Sequence, residues 1–158
     1  MKAEHFTADV QEFLALLHEF KVKYLIIGGE AVIYYGNVRI TGDIDIYYKN
    51  NERNIEALYD LLLEFWNGDI PGIKGRDDLR QPNYMIQFGV PPNRIDLLND
   101  IEGVNFEEAW NAKMTEEISI DNKEVPVYFI GLRHLIINKE RAGRNKDRED
   151  LKYLRKLE

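Results

Sequence analysis

Apolar residues along the chain are spaced so as to divide it into short helices and strands. Val10, Phe13, Leu14 and Leu17 recur at three and four, which predicts a helix over Thr7–Phe20 with Thr7 as its cap. Tyr24–Ile27 is an unbroken apolar run that reads as a buried strand. It meets a turn at Gly28-Gly29, and a short helix over Glu30–Tyr35 follows, stopped by Gly36. Asp43–Tyr48 is a second strand. Glu52–Trp66 has the strong apolar stripe of a long helix, with Asn51 as its cap. The stretch Asn67–Pro82 mixes Gly, Pro and charge and is predicted to be a mobile surface loop. Tyr84–Val90 and Arg94–Leu98, joined by Pro91-Pro92-Asn93, predict an antiparallel hairpin. A short helix near Phe106–Lys113, a hairpin across Asp121-Asn122-Lys123, and helices over Leu132–Ala142 and Asn145–Leu157 complete the pattern. The expected fold is mixed α+β, a small mixed sheet of four to six strands flanked by helices, two of them C-terminal. It is read as one domain over residues 1–158, with a sheet core to about 128 and a helical segment from about 129 onward.

Composition narrows the class. With 44% hydrophobic residues, nine Tyr, seven Phe and two Trp, 158 residues suffice for a sizeable core, which excludes a disordered chain. The absence of cysteine excludes a disulfide scaffold, a thiolate zinc site and a cysteine nucleophile, and fits a reducing compartment; a cytoplasmic location is expected. No apolar stretch is long enough for a membrane span, and the N-terminus lacks the layout of a signal peptide. The net charge of −7 argues against broad, salt-driven binding to a nucleic-acid backbone, although a local basic patch could still contact RNA. Tyr47, Tyr48 and Trp110 are candidate exposed aromatics for a homodimer face.

Four constellations carry chemistry. On a strand alternate side chains share a face, so Asp43 and Asp45 point together while Ile44 and Ile46 point the other way. Two such anions suit a divalent cation such as Mg²⁺; a solvated polar face is the plain alternative. Asp96, between Ile95 and Leu97, would add a third carboxylate, or else pair with Arg94 at the surface. Gly28-Gly29, after a strand and before a helix, could let backbone N–H groups approach a phosphate, or simply turn the chain. No G-x-G-x-x-G and no G-x-x-x-x-G-K-[ST] is present. At about 100° per residue Lys139 falls within an apolar stripe, where it either snorkels to the rim or reaches a phosphate. Asp147 and Asp150 share the stripe of the last helix. The expectation is that Asp147 orients Lys139 or a substrate hydroxyl, and that Asp150 serves the helix dipole in the first turn. The histidines and serines form no metal-ligand spacing or nucleophile elbow.

In order, Ile27-Gly28-Gly29, a gap of 13 residues, Asp43-Ile44-Asp45 and then Asp96 resemble the signature of the DNA polymerase β-like nucleotidyltransferases. The closer resemblance is to minimal bacterial and archaeal members that include the AbiEii-type toxins, carried by Arg39-Ile40-Thr41-Gly42-Asp43-Ile44-Asp45, then Lys139, Ala142, Arg144 and Lys146-Asp147-Arg148-Glu149-Asp150-Leu151. The resemblance implies a nucleotidyltransferase fold, with Mg²⁺, or Mn²⁺ in its place, held by Asp43, Asp45 and Asp96. Nucleotide contacts would come from Gly28, Gly29, Arg39, Thr41, Lys139 and Asp147. The implied reaction moves an NMP group from an NTP, ATP first, to a hydroxyl of RNA, a protein or a small molecule. Membership of a toxin and antitoxin pair, modifying tRNA or a partner protein, and a nucleotide-binding domain without turnover are the alternatives. The Asn67–Pro82 loop could then cover the nucleotide.

Overall fold

The computed structural model describes residues 1–158, and its element order follows the apolar pattern closely. After a 3₁₀ turn at Ala3–His5 come α1 (Ala8–Glu19), β1 (Tyr24–Ile27), α2 (Gly28–Tyr34), β2 (Asp43–Tyr48) and α3 (Glu52–Phe65). The second half holds α4 (Arg76–Arg80), β3 (Met85–Phe88), β4 (Arg94–Leu98), α5 (Phe106–Asn111), β5 (Met114–Ile120), β6 (Lys123–Phe129), α6 (Leu132–Ala142) and α7 (Asn145–Leu154). Side-chain caps start three of the helices: Thr7, Asn51 and Asn105 accept from the backbone N–H groups of Val10, Asn54 and Glu108. Asp121 and Asn122, both with positive φ, close the β5–β6 hairpin in two residues. No helix is long and apolar enough to cross a membrane.

The six strands form one mixed sheet in the order β3-β4-β2-β1-β6-β5. β1 runs antiparallel to β2 and parallel to β6, while β2 and β4 are parallel neighbours. Alternation along β1 and β2 sends Tyr24, Ile26, Ile44, Ile46 and Tyr48 to one face, where α1 and α3 cover them. Leu25, Ile27 and Tyr47 face the other way, beneath α2, α6 and α7. The second face carries the carboxylates.

Four expectations change. Gly28-Gly29 is no separate turn: Gly28, at φ +64, bends the chain within one residue and α2 begins there. The predicted strand Tyr84–Val90 is confined to Met85–Phe88 because Gly89 turns at φ +79. The Asn67–Pro82 stretch is not a bare loop. It contains α4, buries Ile70, Ile73 and Leu79, and is tied down by Tyr48 Oη donating to the Leu79 carbonyl at 2.7 Å. Asn99 Nδ2 donates to the carbonyls of Leu79 (3.2 Å) and Gln81 (2.7 Å). Finally, Tyr47 and Tyr48 are buried in the two cores and offer no dimer face, while Trp110 packs against Tyr128 with the Lys113 ammonium 4.0 Å from its ring.

Candidate active site

A single rung of the sheet builds the centre of the site. Ile27 of β1 stands opposite Asp45 of β2, Asp45 beside Asp96 of β4, and Asp96 opposite Gln87 of β3. Two residues along, Asp43 pairs in register with Arg94. Parallel pairing of β2 and β4 therefore brings Asp43, Asp45 and Asp96 to one face, where one carboxylate oxygen of each lies within 4.8 Å of the others. Asp96 does pair with Arg94, but it is buried beside the other two carboxylates and not at the surface.

Charge crowding follows from that geometry. Burial pushes the Asp45 carboxyl up to about 7, and the neighbouring carboxylates of Asp43 and Asp96 add to the rise, with Lys146 opposing it. Arg94 answers part of the charge: its guanidinium pairs with Asp43, and its Nε lies 3.1 Å from Asp96 Oδ1. Its own pKa is raised, first by the hydrogen bond to Asp43. Gln87 Nε2 donates to Asp96 Oδ2 at 3.3 Å. Asp96 is buried, and both of its oxygens are engaged, Oδ1 by the ion pair with Arg94 and Oδ2 by Gln87. Three hard carboxylate oxygens gathered on one face, that of Asp96 buried, are a donor set that fits a divalent cation.

The two glycines make room for side chains of the chain itself. A Cβ on Gly28 would collide with Asp45 Oδ2. One on Gly29 would come within 3.0 Å of both the Arg39 guanidinium and Thr41 Oγ1. Thr41 Oγ1 in turn lies 3.0 Å from Asp43 Oδ1 and 3.2 Å from the Asp43 carbonyl oxygen. Arg39 and Thr41 thus stand behind the carboxylates, and neither lines the cleft.

That cleft, of about 540 Å³, runs from the triad between the β3–β4 hairpin and the C-terminal helices. Gly28, Lys139, Arg144 and Lys146 contribute to its walls. Lys139 neither snorkels outward nor stands free: it is 2% exposed, and its ammonium lies 3.2 Å from Asp147 Oδ1 and 3.0 Å from Asp150 Oδ2. Burial raises the Asp147 carboxyl, but hydrogen bonds from Arg144 and Lys139 outweigh that and hold it below the usual carboxylate range. Asp150 departs from its expected place. α7 starts at Asn145, so Asp150 falls in the second turn, beyond the dipole's reach, and is buried between Lys139 and Arg39. Gln87 is the site residue that sequence reasoning passed over, while Arg144 and Lys146 entered it only as part of a motif, without a role of their own. For Arg144 and Lys146 the signal lay in the basic run that opens the last helix.

The class of protein emerges from fold and site together. Over 100% of its length the chain is similar in fold to 97% of a Thermotoga maritima protein described as a "putative nucleotidyltransferase", with a TM-score of 0.57 and 13% identity. No curated protein matches it. Residues 5–155 match the family described as "Nucleotidyltransferase of unknown function (DUF6036)", and the chain belongs to that family.

Proposed function

We propose that the protein is a metal-dependent nucleotidyltransferase that moves an NMP group from an NTP, ATP first, to a hydroxyl acceptor. The observation that carries this reading is the convergence of Asp43, Asp45 and Asp96 within 4.8 Å at the head of a cleft whose far wall is basic. Asp43, Asp45 and Asp96 would hold Mg²⁺, or Mn²⁺ in its place. When bound, such an ion neutralises charge on the phosphates and favours ionisation of an attacking hydroxyl. The acceptor oxygen attacks the α-phosphorus, the bond to the α,β-bridging oxygen breaks, and pyrophosphate leaves with that electron pair. Asp96, buried on the cleft wall beside the other two carboxylates, is placed to take the acceptor's proton. Arg144 and Lys146 line the side of the cleft that suits a triphosphate, and Lys139 backs that wall. The narrower likeness to AbiEii-type toxins, with a partner protein or RNA as acceptor, is supported by the Arg39-to-Asp45 and Lys146-to-Leu151 motifs.

Calorimetric titration of ATP with Mg²⁺ tests the site directly. Wild type binds in a metal-dependent manner and the folded Asp43→Asn, Asp45→Asn double variant does not; equal binding by both would reject the assignment. With an acceptor in hand, Asp96→Asn lowers turnover at least about a thousandfold, because removing a ligand and proton acceptor forfeits several kcal/mol of transition-state stabilisation.

A further inference from the structure

Asp150 takes no part in the reaction just described, yet it is 2% exposed on α7 and carries a charge into the interior. Its Oδ2 faces the Lys139 ammonium at 3.0 Å and its Oδ1 pairs with Arg39. Arg39 belongs to the segment 37–42, which has no regular structure and no apolar anchor: Val38 and Ile40 are 91% and 100% exposed. What points inward from this segment is polar. Arg39 reaches Asp150, and Thr41, beside Arg39 in the space that Gly29 leaves, bonds Asp43 at 3.0 Å. Asp43 stands at the first position of β2, where Arg94 holds its other oxygen from the opposite side.

We propose that Asp150 is a positioning residue for Asp43: by holding Arg39 it fixes the 37–42 segment, and through Thr41 it sets the orientation of the Asp43 carboxylate. This rests on the reading of the triad as a cation site. The anchor is itself braced, since Lys139 is shared with Asp147, and Asp147 accepts from Arg144 Nε at 2.8 Å and from the Arg144 backbone N–H at 3.1 Å. A ligand's orientation depends on such supporting bonds, and their loss typically costs ten- to a hundredfold in metal affinity.

Mn²⁺ binding without nucleotide, followed by water-proton relaxation, reads the effect independently of turnover. Asp150→Asn and Arg39→Gln each weaken Mn²⁺ binding about tenfold. The double variant binds no more weakly than either single one, because both act through one chain of contacts. Glu149→Gln, whose side chain is exposed and pairs with Lys152, binds as wild type. Arg39→Gln leaves the buried pair of Lys139 and Asp150 in place and so remains folded, as its thermal melt will register. Wild-type affinity in folded Arg39→Gln overturns the proposal, as do additive losses in the double variant. Absence of Mn²⁺ binding by wild type instead overturns the reading of the triad.

Discussion

Gly28 and Asp45 occupy one another's space, and this fixes what each residue tolerates. At φ +64 a side chain is strained by about 1–2 kcal/mol before any contact is made, and a Cβ would also strike Asp45 Oδ2. Gly28→Ala is therefore expected to lower the melting temperature and to weaken Mn²⁺ binding at least about tenfold, the loss typical of a disturbed ligand. A variant that melts and binds like wild type would show that the carboxylate does not need that space. Asp45 also makes the metal-free protein sensitive to pH. Its folded pKa is raised from the ordinary 3.8 to about 7, so the folded state holds the proton more tightly than the unfolded chain. Stability from this group is complete below about 3.8 and is lost as pH rises through 7. Melts of metal-free protein should fall between pH 5 and 8, less steeply for Asp45→Asn, and Mg²⁺ should restore the wild type at pH 8; parallel curves would refute the assignment. The triad was legible in the sequence because the two-residue period of a strand dictates which side chains share a face. The glycines were legible only as gaps, since a missing Cβ does not say whether a phosphate or the chain's own carboxylate fills the space. Asp150 was misread because its distance along the helix, not its nearness to a cap, decides what it meets.

Among the elements, the excursion between α3 and β3 is held by contacts that no local pattern reveals. Its glycines, proline and charges suit a loop, but Ile70, Ile73 and Leu79 are buried, and Asn99 binds it at three points. Asn99→Ala would leave the Tyr84 N–H and the carbonyls of Leu79 and Gln81 without this partner, at a cost of about 2–3 kcal/mol. Trypsin should then cut at Arg76 or Arg80 in the variant and spare the wild type even without nucleotide; equal cleavage would show that the excursion is not fastened there. Strands and most helices were readable because each has its own period. This segment was not, because its anchors come from the end of β2 and the end of β4. Tyr47 and Tyr48 mislead for the same reason: alternation assigns them to opposite faces, but only the helices that cover both faces make them core.

Across the whole molecule, charge is segregated. Residues 132–158 carry nine Lys and Arg against five Asp and Glu, whereas the remainder carries twelve against 23. The acidic triad thus belongs to the sheet and the basic wall to the helices, and the cleft lies at their boundary. Binding of a triphosphate should weaken roughly tenfold between low and moderately high salt as exposed charges are screened. The slope should flatten in Arg144→Gln, Lys146→Gln protein; an unchanged slope would place the phosphates elsewhere. The same arrangement bears on the order in which the protein is made. Synthesis delivers the sheet before α7, yet Asp43 receives its support from Asp150 on α7 by way of Arg39. A chain still emerging from the ribosome has its three carboxylates but neither their brace nor the basic wall. On the proposed reading, the cation site and the wall facing it are therefore assembled only when α7 docks, after the rest of the fold has been made.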